Sequence, residues 1–236
     1  MNPVYKRVLI KISGEALAGE KKHGFDFDFI SEVCKTVKSC ADMGVQVGIV
    51  IGGGNFWRGV KDGAGKVERV SADRMGMLAT TMNCLAVCDV FKQLGAKAKV
   101  MTAVDIQGVG ERYDTAKSIE YMEQGNIVLF AFGTGQPFFS TDTAAVLRAA
   151  EIHADAILLA KNIDGVYDDD PRKNPEAKKF DRISYDEVLA RHLAVMDTTA
   201  TGLAMDNSIP VIVFALADPE NIARVLSGEE IGTIVK

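Results

Sequence analysis

The chain has 236 residues, of which 47% are apolar and 25% charged, a composition that is typical of a globular protein and excludes intrinsic disorder. Its 27 Lys and Arg residues and 32 Asp and Glu residues give a net charge of −5, so there is no overall positive field to attract a nucleic acid polymer or an anionic membrane. We expect neither as a partner, and the length favours a single domain over residues 1–236.

The first residues do not have the pattern of a targeting signal. Only residues 8–10 are continuously apolar between charged residues, whereas a signal peptide needs an apolar core of about 7 to 15 residues. No apolar run approaches the roughly 18 residues of a membrane span. We therefore expect a cytoplasmic protein whose four cysteines are reduced and packed within helices, namely Cys34, Cys40, Cys84 and Cys88.

Short runs rich in Val, Ile, Leu and Phe alternate with helical stretches along the chain. Each run is almost continuously apolar, as in strands that helices cover on both faces. Such alternation predicts parallel βαβ units and hence an α/β fold, a three-layer αβα sandwich with a mainly parallel central sheet. The predicted strands are residues 8–12, 45–51, 98–101, 126–132, 156–160 and 210–214.

Three helices and one loop can be placed between these strands. Apolar residues recur at helical spacing over residues 29–43, and Gly44 follows as a C-terminal cap. Residues 71–94 predict a longer helix. The sequence of residues 184–187 has the form of a capping box, so another helix is expected to begin there. The polar residues 168–179 contain two prolines and predict a surface loop.

Glycine-bearing turns follow four of the predicted strands. Because the carboxyl ends of parallel strands share one edge of a doubly wound sheet, we expect these turns to converge on one crevice. The GGGN turn can bring backbone N–H groups close to phosphate oxygens, although three glycines can also form a simple tight turn. No GxGxxG motif exists, and DGAGKV at residues 62–67 lacks two positions of a P-loop. The four turns are residues 13–15, 52–55, 133–142 and 162–171.

Three cationic residues, Lys11, Arg58 and Lys161, lie at or just after these strand ends. A phosphoryl-transfer site needs such charges because its two substrates bring several negative charges together. A single lysine at a strand end is usually only solvated, but three at the edge that holds the glycine turns favour phosphate chemistry. No Ser/His/Asp arrangement competes with this interpretation, since the three histidines are scattered and are expected at the surface or in ordinary hydrogen bonds: His23, His153 and His192.

Six motifs, taken in order along the chain, resemble one family. They are KISGEAL (residues 11–17), VIGGGNFWRG (50–59), ADRMGMLATTMN (72–83), GTGQPFFSTD (133–142), DGVYDDDP (164–171) and AVMD (194–197). Together they resemble the bacterial UMP kinases, or uridylate kinases, of the amino acid kinase superfamily. The resemblance implies a homohexamer of αβα sandwiches that phosphorylates UMP with ATP and Mg²⁺ in pyrimidine nucleotide biosynthesis. It also implies activation by GTP and inhibition by UTP.

The resemblance further implies which residues contact each substrate. Those on the ATP phosphate side are Lys11, Ser13, Gly14, Gly54 and Arg58. Those on the ATP base and ribose are Asn162, Tyr167 and Asp170. Those on UMP are Gly53, Asp73, Thr134, Gly135, Gln136, Pro137, Phe138, Phe139, Ser140 and Thr141. The catalytic set would be Lys11, Arg58, Lys161 and Asp142, the last of which organises the cations.

Three of these roles have alternatives. The ATP contact at the end of the strand AILLA is either Lys161 or Asn162. Asp142 either accepts from the cationic groups or simply caps the helix that it begins. Asp73 either accepts from a ribose hydroxyl or is only a negative charge in the first turn of the long helix.

No general base is expected in the reaction. The second pKa of a phosphate monoester is about 6, so the attacking oxygen of UMP is already largely ionised at neutral pH. Alignment and charge neutralisation are then sufficient, and Mg²⁺ is expected on the nucleotide phosphates rather than on protein ligands. Two alternatives remain: a sister kinase acting on carbamate or an amino-acid carboxylate, which has no need of Asp73, and a non-catalytic nucleotide-binding or oxyanion-storage protein, which could lose Lys11 or Asp142.

Overall fold

A computed structural model describes residues 3–58, 63 and 65–236. Gly59 of the VIGGGNFWRG motif and Asp62 and Ala64 of DGAGKV lie outside these described residues. The strands are β1 (Arg7–Ile12), β2 (Gln46–Ile51), β3 (Ala98–Thr102), β4 (Glu111–Arg112), β5 (Ile127–Ala131), β6 (Ala156–Lys161), β7 (Val166–Tyr167), β8 (Lys179–Phe180), β9 (Arg182–Ile183), β10 (Val211–Ala215) and β11 (Thr233–Val235). The α-helices are α1 (Gly14–Leu17), α2 (Phe27–Asp42), α3 (Arg69–Gln93), α4 (Thr115–Glu123), α5 (Thr141–Glu151), α6 (Tyr185–Ala190), α7 (Thr198–Asp206) and α8 (Asn221–Leu226).

The central sheet of the described chain has the strand order β4-β3-β5-β2-β1-β6-β10-β11-β9. Neighbouring strands are parallel except for β10 and β11, which are antiparallel. All six predicted strands are confirmed, as β1, β2, β3, β5, β6 and β10. The first strand lies in the middle of the sheet, where Lys11 is in register with Val50 on one side and Leu159 on the other.

Hydrophobic cores on both faces of the sheet confirm the three-layer architecture. Val8, Ile10 and Ile12 of β1 belong to a buried cluster with residues of α2, α3 and α8. Leu9, which points to the opposite face, belongs to a second cluster with residues of α4, α5, α6 and α7. A strand that is buried on both sides has no reason to alternate with polar residues, which explains the continuous apolar runs.

Capping residues mark the helix boundaries. Asp26 caps α2 by accepting from the backbone N–H of Phe29 at 3.2 Å, and Gly44 follows its C-terminus with a left-handed φ of +92°. Ser184 caps α6 by accepting from the N–H of Glu187, so the helix predicted there is confirmed. Helix α3 begins at Arg69 and ends at Gln93, within two residues of the prediction.

Two further sequence expectations concern cysteines and membranes. All four cysteines are free and buried, and burial raises the pKa of the Cys34 thiol to about 12 and that of Cys40 to about 11. These thiols therefore stay protonated and act as small apolar side chains. Among the described residues, every helix is too short or too polar to cross a membrane.

Candidate active site

The four strand-end turns converge at one edge of the sheet, as predicted. The SGE turn packs directly on the GGGN turn, because a Cβ atom placed on Gly14 would lie only 2.3 Å from the carbonyl oxygen of Gly52. A Cβ atom on Gly52 would in turn lie 3.5 Å from Oγ1 of Thr141, at the start of α5. The fourth turn lies at the same edge: Asn162, its first residue, and Lys161, the last residue of β6, line the same cavity as Lys11.

Two cavities meet at this edge. The first lies between α3 and residues 132–140, the loop before α5; after the substrate predicted there, we call them the acceptor cavity and the acceptor loop. The cavity contains these predicted UMP residues: Gly53, Asp73, Thr134, Gln136, Phe139, Ser140 and Thr141. The second, the donor cavity, contains these predicted catalytic and ATP residues: Lys11, Ser13, Asp142, Lys161, Asn162, Tyr167 and Asp170. Thr141 in one and Asp142 in the other are adjacent in the chain, so the cavities adjoin at the first turn of α5.

An ion pair between Lys11 and Asp142 stands at this junction. Nζ of Lys11 lies 2.5 Å from Oδ1 of Asp142, and the two side chains are only 10% and 18% exposed. The N-cap of α5 is Ser140, whose hydroxyl accepts from the N–H groups of Asp142 and Thr143. The alternative in which Asp142 caps the helix is therefore wrong, and its carboxylate faces the cation.

Lys161 is the second ammonium at the junction. Its Nζ donates to the carbonyl oxygen of Val195, in the segment after α6. Burial lowers the pKa of Lys161; the carboxylate of Asp142 opposes this shift and the positive charge of Lys11 adds to it. Two cations and one carboxylate thus share a partly buried space, leaving a net positive charge that an anion can neutralise. Asn162 also lines this cavity, so both candidates for the ATP contact are present.

The GGGN turn is held rigidly against α3. A Cβ atom on Gly53 would lie 2.7 Å from the carbonyl oxygen of Gly76, so only glycine fits this close approach. The side chains of Asn55 and Asn83 exchange two hydrogen bonds at 2.9 and 2.8 Å, and both residues are buried. Sequence reasoning missed this pair, although a buried asparagine in the middle of a long helix is a signal that its amide has a partner.

The acceptor loop contacts α3 through Asp73. Oδ2 of Asp73 accepts from the backbone N–H of Phe138 at 2.8 Å and from Nε of Arg69 at 2.7 Å. The guanidinium of Arg69 also lies 5.1 Å from the centroid of the Phe138 ring. Asp73 stands one turn inside α3 rather than in its first turn, so its interpretation as a simple helix-dipole charge is wrong. Phe138 has a left-handed φ of +71°, a strained conformation for a bulky residue.

Arg58 lies outside both cavities. Its Nη2 is 2.7 Å from Oε1 of Glu15, and both side chains are more than 40% exposed. Five other predicted site residues also line neither cavity: Gly14, Gly54, Gly135, Pro137 and Phe138.

The outer end of the donor cavity is polar. The loop predicted over residues 168–179 lies between β7 and β8, except that its last residue, Lys179, begins β8. The hydroxyl of Tyr167 donates to Asp164 at 2.8 Å, and Asp170 pairs with Arg172 at 2.9 Å. His192 is exposed and lies outside the four strand-end turns, as expected, but it also lines this cavity. His192 follows α6 and has a left-handed φ of +52°.

Comparisons with known proteins find relatives over nearly the whole chain. Residues 6–215 match the model of the amino acid kinase family. A uridylate kinase of Streptococcus thermophilus (strain ATCC BAA-491 / LMD-9) is 53% identical over 234 residues, covering 99% of this chain and 96% of that protein. The crystal structure of a UMP kinase from Bacillus anthracis has a TM-score of 0.95 at 38% identity, covering 98% of this chain and 96% of that one. A UMP kinase structure from Ureaplasma parvum has a TM-score of 0.92 at 35% identity, covering 98% of both.

Proposed function

Because the chain belongs to the amino acid kinase family and to the uridylate kinases within it, we propose that it transfers the γ-phosphate of ATP to UMP, giving ADP and UDP. The observation that carries this proposal is the Lys11–Asp142 ion pair at the junction of two cavities. A reaction between two anionic nucleotides needs two adjoining sites with cationic groups where they meet.

We place ATP in the donor cavity with its phosphates toward the junction. Lys11 and Lys161 supply positive charge there, and Ser13 and Gly14 supply backbone N–H groups at the start of the short helix α1. The base and ribose lie toward Asn162, Tyr167 and Asp170 at the polar outer end. Gly54 and Arg58 flank the phosphates, so Arg58 must leave Glu15 or extend past it when ATP binds.

We place UMP in the acceptor cavity with its phosphate toward Gly53 and Thr141 and its ribose at Asp73. The carboxylate of Asp73 can accept from ribose hydroxyls once the N–H of Phe138 releases it. The remaining predicted contacts come from the acceptor loop: Thr134, Gly135, Gln136, Pro137, Phe138, Phe139 and Ser140.

Chemistry at the junction requires alignment and charge neutralisation. The acceptor phosphate brings its own ionised oxygen, since its second pKa is about 6, so no side chain needs to remove a proton. Lys11 and Lys161 stabilise negative charge on the transferring group, in line between the two nucleotides. Asp142 keeps Lys11 oriented, and its negative charge offsets part of the repulsion between the two ammonium groups.

We propose that Mg²⁺ enters this site on the phosphates of ATP. Carboxylate oxygen is the ligand type that suits Mg²⁺, and Asp142 is the carboxylate at the junction. Its Oδ1 is already paired with Lys11, so the phosphates would hold the metal and Asp142 would only support it. When bound, Mg²⁺ neutralises phosphate charge as the transfer proceeds.

An assay of ADP release tests the substrate. The purified chain is supplied with ATP, Mg²⁺ and each of UMP, CMP, dTMP, carbamate and acetylglutamate. We expect turnover with UMP to exceed that with every other acceptor. Turnover with carbamate or acetylglutamate would identify a sister kinase instead, and binding of nucleotides without ADP release would identify a non-catalytic protein.

We propose that the chain forms a homo-oligomer, a hexamer as the family resemblance implies, and that the exposed face of α3 is one of its contacts. Four large apolar side chains on this helix are between 40% and 50% exposed at intervals of three or four residues, which is the spacing of one helix face: Met75, Leu78, Met82 and Leu85. A stripe of this kind on an isolated subunit is a typical protein–protein contact. The helix also carries Asp73, so subunit contacts would lie next to the acceptor cavity.

Three further parts of the proposal rest on the family alone. These are activation by GTP with inhibition by UTP, a place in pyrimidine nucleotide biosynthesis, and a location in the cytoplasm. Initial rates with and without each nucleotide test the first of them directly.

A further inference from the structure

The AVMD motif, residues 194–197, contacts both Lys161 and the start of α5, the helix that carries Asp142. Its second residue, Val195, accepts the hydrogen bond from Nζ of Lys161. Its last residue, Asp197, contacts the start of α5, where Asp142 is located. The segment thus contacts Lys161 directly and contacts Asp142 through Ser140. Asp197 itself does not line either cavity.

Asp197 holds three donors at once. Its Oδ1 accepts from the backbone N–H of Ala200 at 2.9 Å, which makes it the N-cap of α7. Its Oδ2 accepts from the hydroxyl of Ser140. The hydroxyl of Thr143 lies 3.2 and 3.3 Å from the two carboxylate oxygens. A carboxylate has two oxygens with about four acceptor positions, which is enough for all three donors.

The hydroxyl of Ser140 is fully used by this arrangement. It accepts from the N–H groups of Asp142 and Thr143, at 3.0 and 3.1 Å, and donates its single proton to Asp197. Asp197 therefore fixes the direction of that proton and leaves both lone pairs for the helix N-terminus. The position of Asp142, two residues after the cap, depends on this orientation.

We propose that Asp197 is a positioning residue of the phosphoryl-transfer site, which sets the first turn of α5 so that Asp142 faces Lys11. This inference rests on the proposed kinase function. Asp197 acts on the reaction through Ser140, Thr143 and the cap geometry of α5. Small displacements of catalytic groups cost large factors in rate, so the effect of losing this link falls mainly on kcat.

The variant Asp197→Asn removes the acceptor for the Ser140 proton but keeps the N-cap of α7. Asparagine is as good an N-cap as aspartate, so its amide oxygen can still accept from Ala200. The amide NH₂ then faces Ser140 as a donor, and the hydroxyl has to accept a third N–H while its own proton loses its acceptor. We expect kcat for UMP to fall at least tenfold while KM for ATP, whose site does not contain Ser140, changes less than threefold.

A matched control is Asp114→Asn. Asp114 caps α4 through the N–H of Lys117 at 2.8 Å and lies in neither cavity, so its replacement tests the same chemical change at a helix start without the link. We expect its kcat to stay within twofold of the unmodified chain. The melting temperatures of the two variants should be similar.

A double-mutant cycle with Ser140→Ala tests the route of the effect. If Asp197 acts through the Ser140 hydroxyl, the double variant loses no more than about threefold beyond the worse single variant. Losses that multiply, or an Asp197→Asn enzyme within threefold of the normal kcat, would overturn the proposal. Absence of UMP turnover by the unmodified chain would instead reject the proposed function.

Thr143 offers a second test if Asp197→Asn does not fold. Thr143→Ser keeps the hydroxyl that donates to Asp197, whereas Thr143→Val removes it and keeps the shape. We expect the serine variant to retain kcat within threefold and the valine variant to lose more than that with unchanged KM values. Equal kcat values for the two variants would contradict the proposal.

Discussion

The carboxylate of Asp73 accepts a hydrogen bond from the backbone N–H of Phe138 at 2.8 Å, so the acceptor loop occupies the group proposed to bind ribose. A ribose hydroxyl has to compete with this N–H, and Phe138 is held in a strained left-handed conformation while the bond is formed. Binding of the acceptor nucleotide would therefore exchange one partner of Asp73 for another and release the loop.

Replacement of this carboxylate should affect one substrate only. We predict that Asp73→Asn raises KM for UMP by roughly tenfold to a hundredfold, because a hydrogen bond to a charged group is worth about 1.5 to 3 kcal/mol. KM for ATP should change less than threefold, since Asp73 lies in the acceptor cavity. Steady-state kinetics with each substrate varied in turn measures both, and equal changes in the two constants would contradict this assignment.

Removal of the Lys11 ammonium should affect the chemical step. We predict that Lys11→Met lowers kcat by about 10² to 10³, which corresponds to about 2.7 to 4 kcal/mol of lost transition-state stabilisation. The substitution also leaves Asp142 without its 2.5 Å partner, so thermal unfolding is measured alongside. A folded variant within threefold of the normal kcat would remove Lys11 from the mechanism.

The acid limb of activity should belong to the substrate. Protonation of the acceptor phosphate removes the ionised attacking oxygen, so we predict that kcat/KM for UMP falls below an apparent pKa of about 6. His23→Gln with His153→Gln should leave this limb unchanged, and His192→Gln is measured separately because His192 lines the donor cavity. A UMP analogue with a lower second phosphate pKa should move the limb with it. A limb that instead disappears in a histidine variant would indicate a histidine base.

The alkaline limb should belong to Lys161. Burial lowers the pKa of this ammonium below its ordinary 10.5, so its positive charge is lost at a lower pH than that of a free lysine as the pH rises. We predict that kcat/KM falls there and that Lys161→Arg abolishes the fall, because a guanidinium stays protonated. Lys97→Arg, an exposed position outside both cavities, is the control. An unchanged limb in Lys161→Arg would assign it to another group.

The exposed stripe of α3 should control self-association. We predict that Leu78→Glu, at the 50% exposed centre of the stripe, converts the oligomer into smaller species, because a buried unpaired carboxylate is costly at an apolar contact. Phe27→Glu, which is 55% exposed at the start of α2, should leave the oligomer intact. Sedimentation velocity distinguishes the two, and an unchanged mass for Leu78→Glu would exclude this face.

The sheet could be predicted because its strands carry a strong signal. Strands buried on both faces must be continuously apolar, and residues 8–12 and 156–160 show this plainly. The two-residue strands β4, β7, β8 and β9 carry no such signal and were not predicted. Helix α7 was also missed, since its TTATGLAMD sequence mixes β-branched residues with a glycine.

The site could be predicted only in part, for a different reason. Cations and glycines at strand ends are visible locally, and the topology of a parallel sheet brings them together. The pairs that hold the site are not local: Asp73 reaches a backbone N–H in a distant loop, and Ser140 reaches Asp197. Spacing along the chain says nothing about such pairs, because they depend on how the helices pack.

The position of β1 between β2 and β6 has a consequence for synthesis of the chain. Its register with Ala156–Lys161 cannot form until roughly 150 further residues have been made, which takes about 8 to 30 s at the usual rate of translation. Until then one edge of β1 has no strand to pair with, and Lys11 also waits for its partner Asp142, which lies 131 residues further along the chain. The nascent chain must therefore keep the unpaired edge of this apolar strand from aggregating during that interval, and we expect a chaperone that covers residues 7–12 to raise the yield of folded protein.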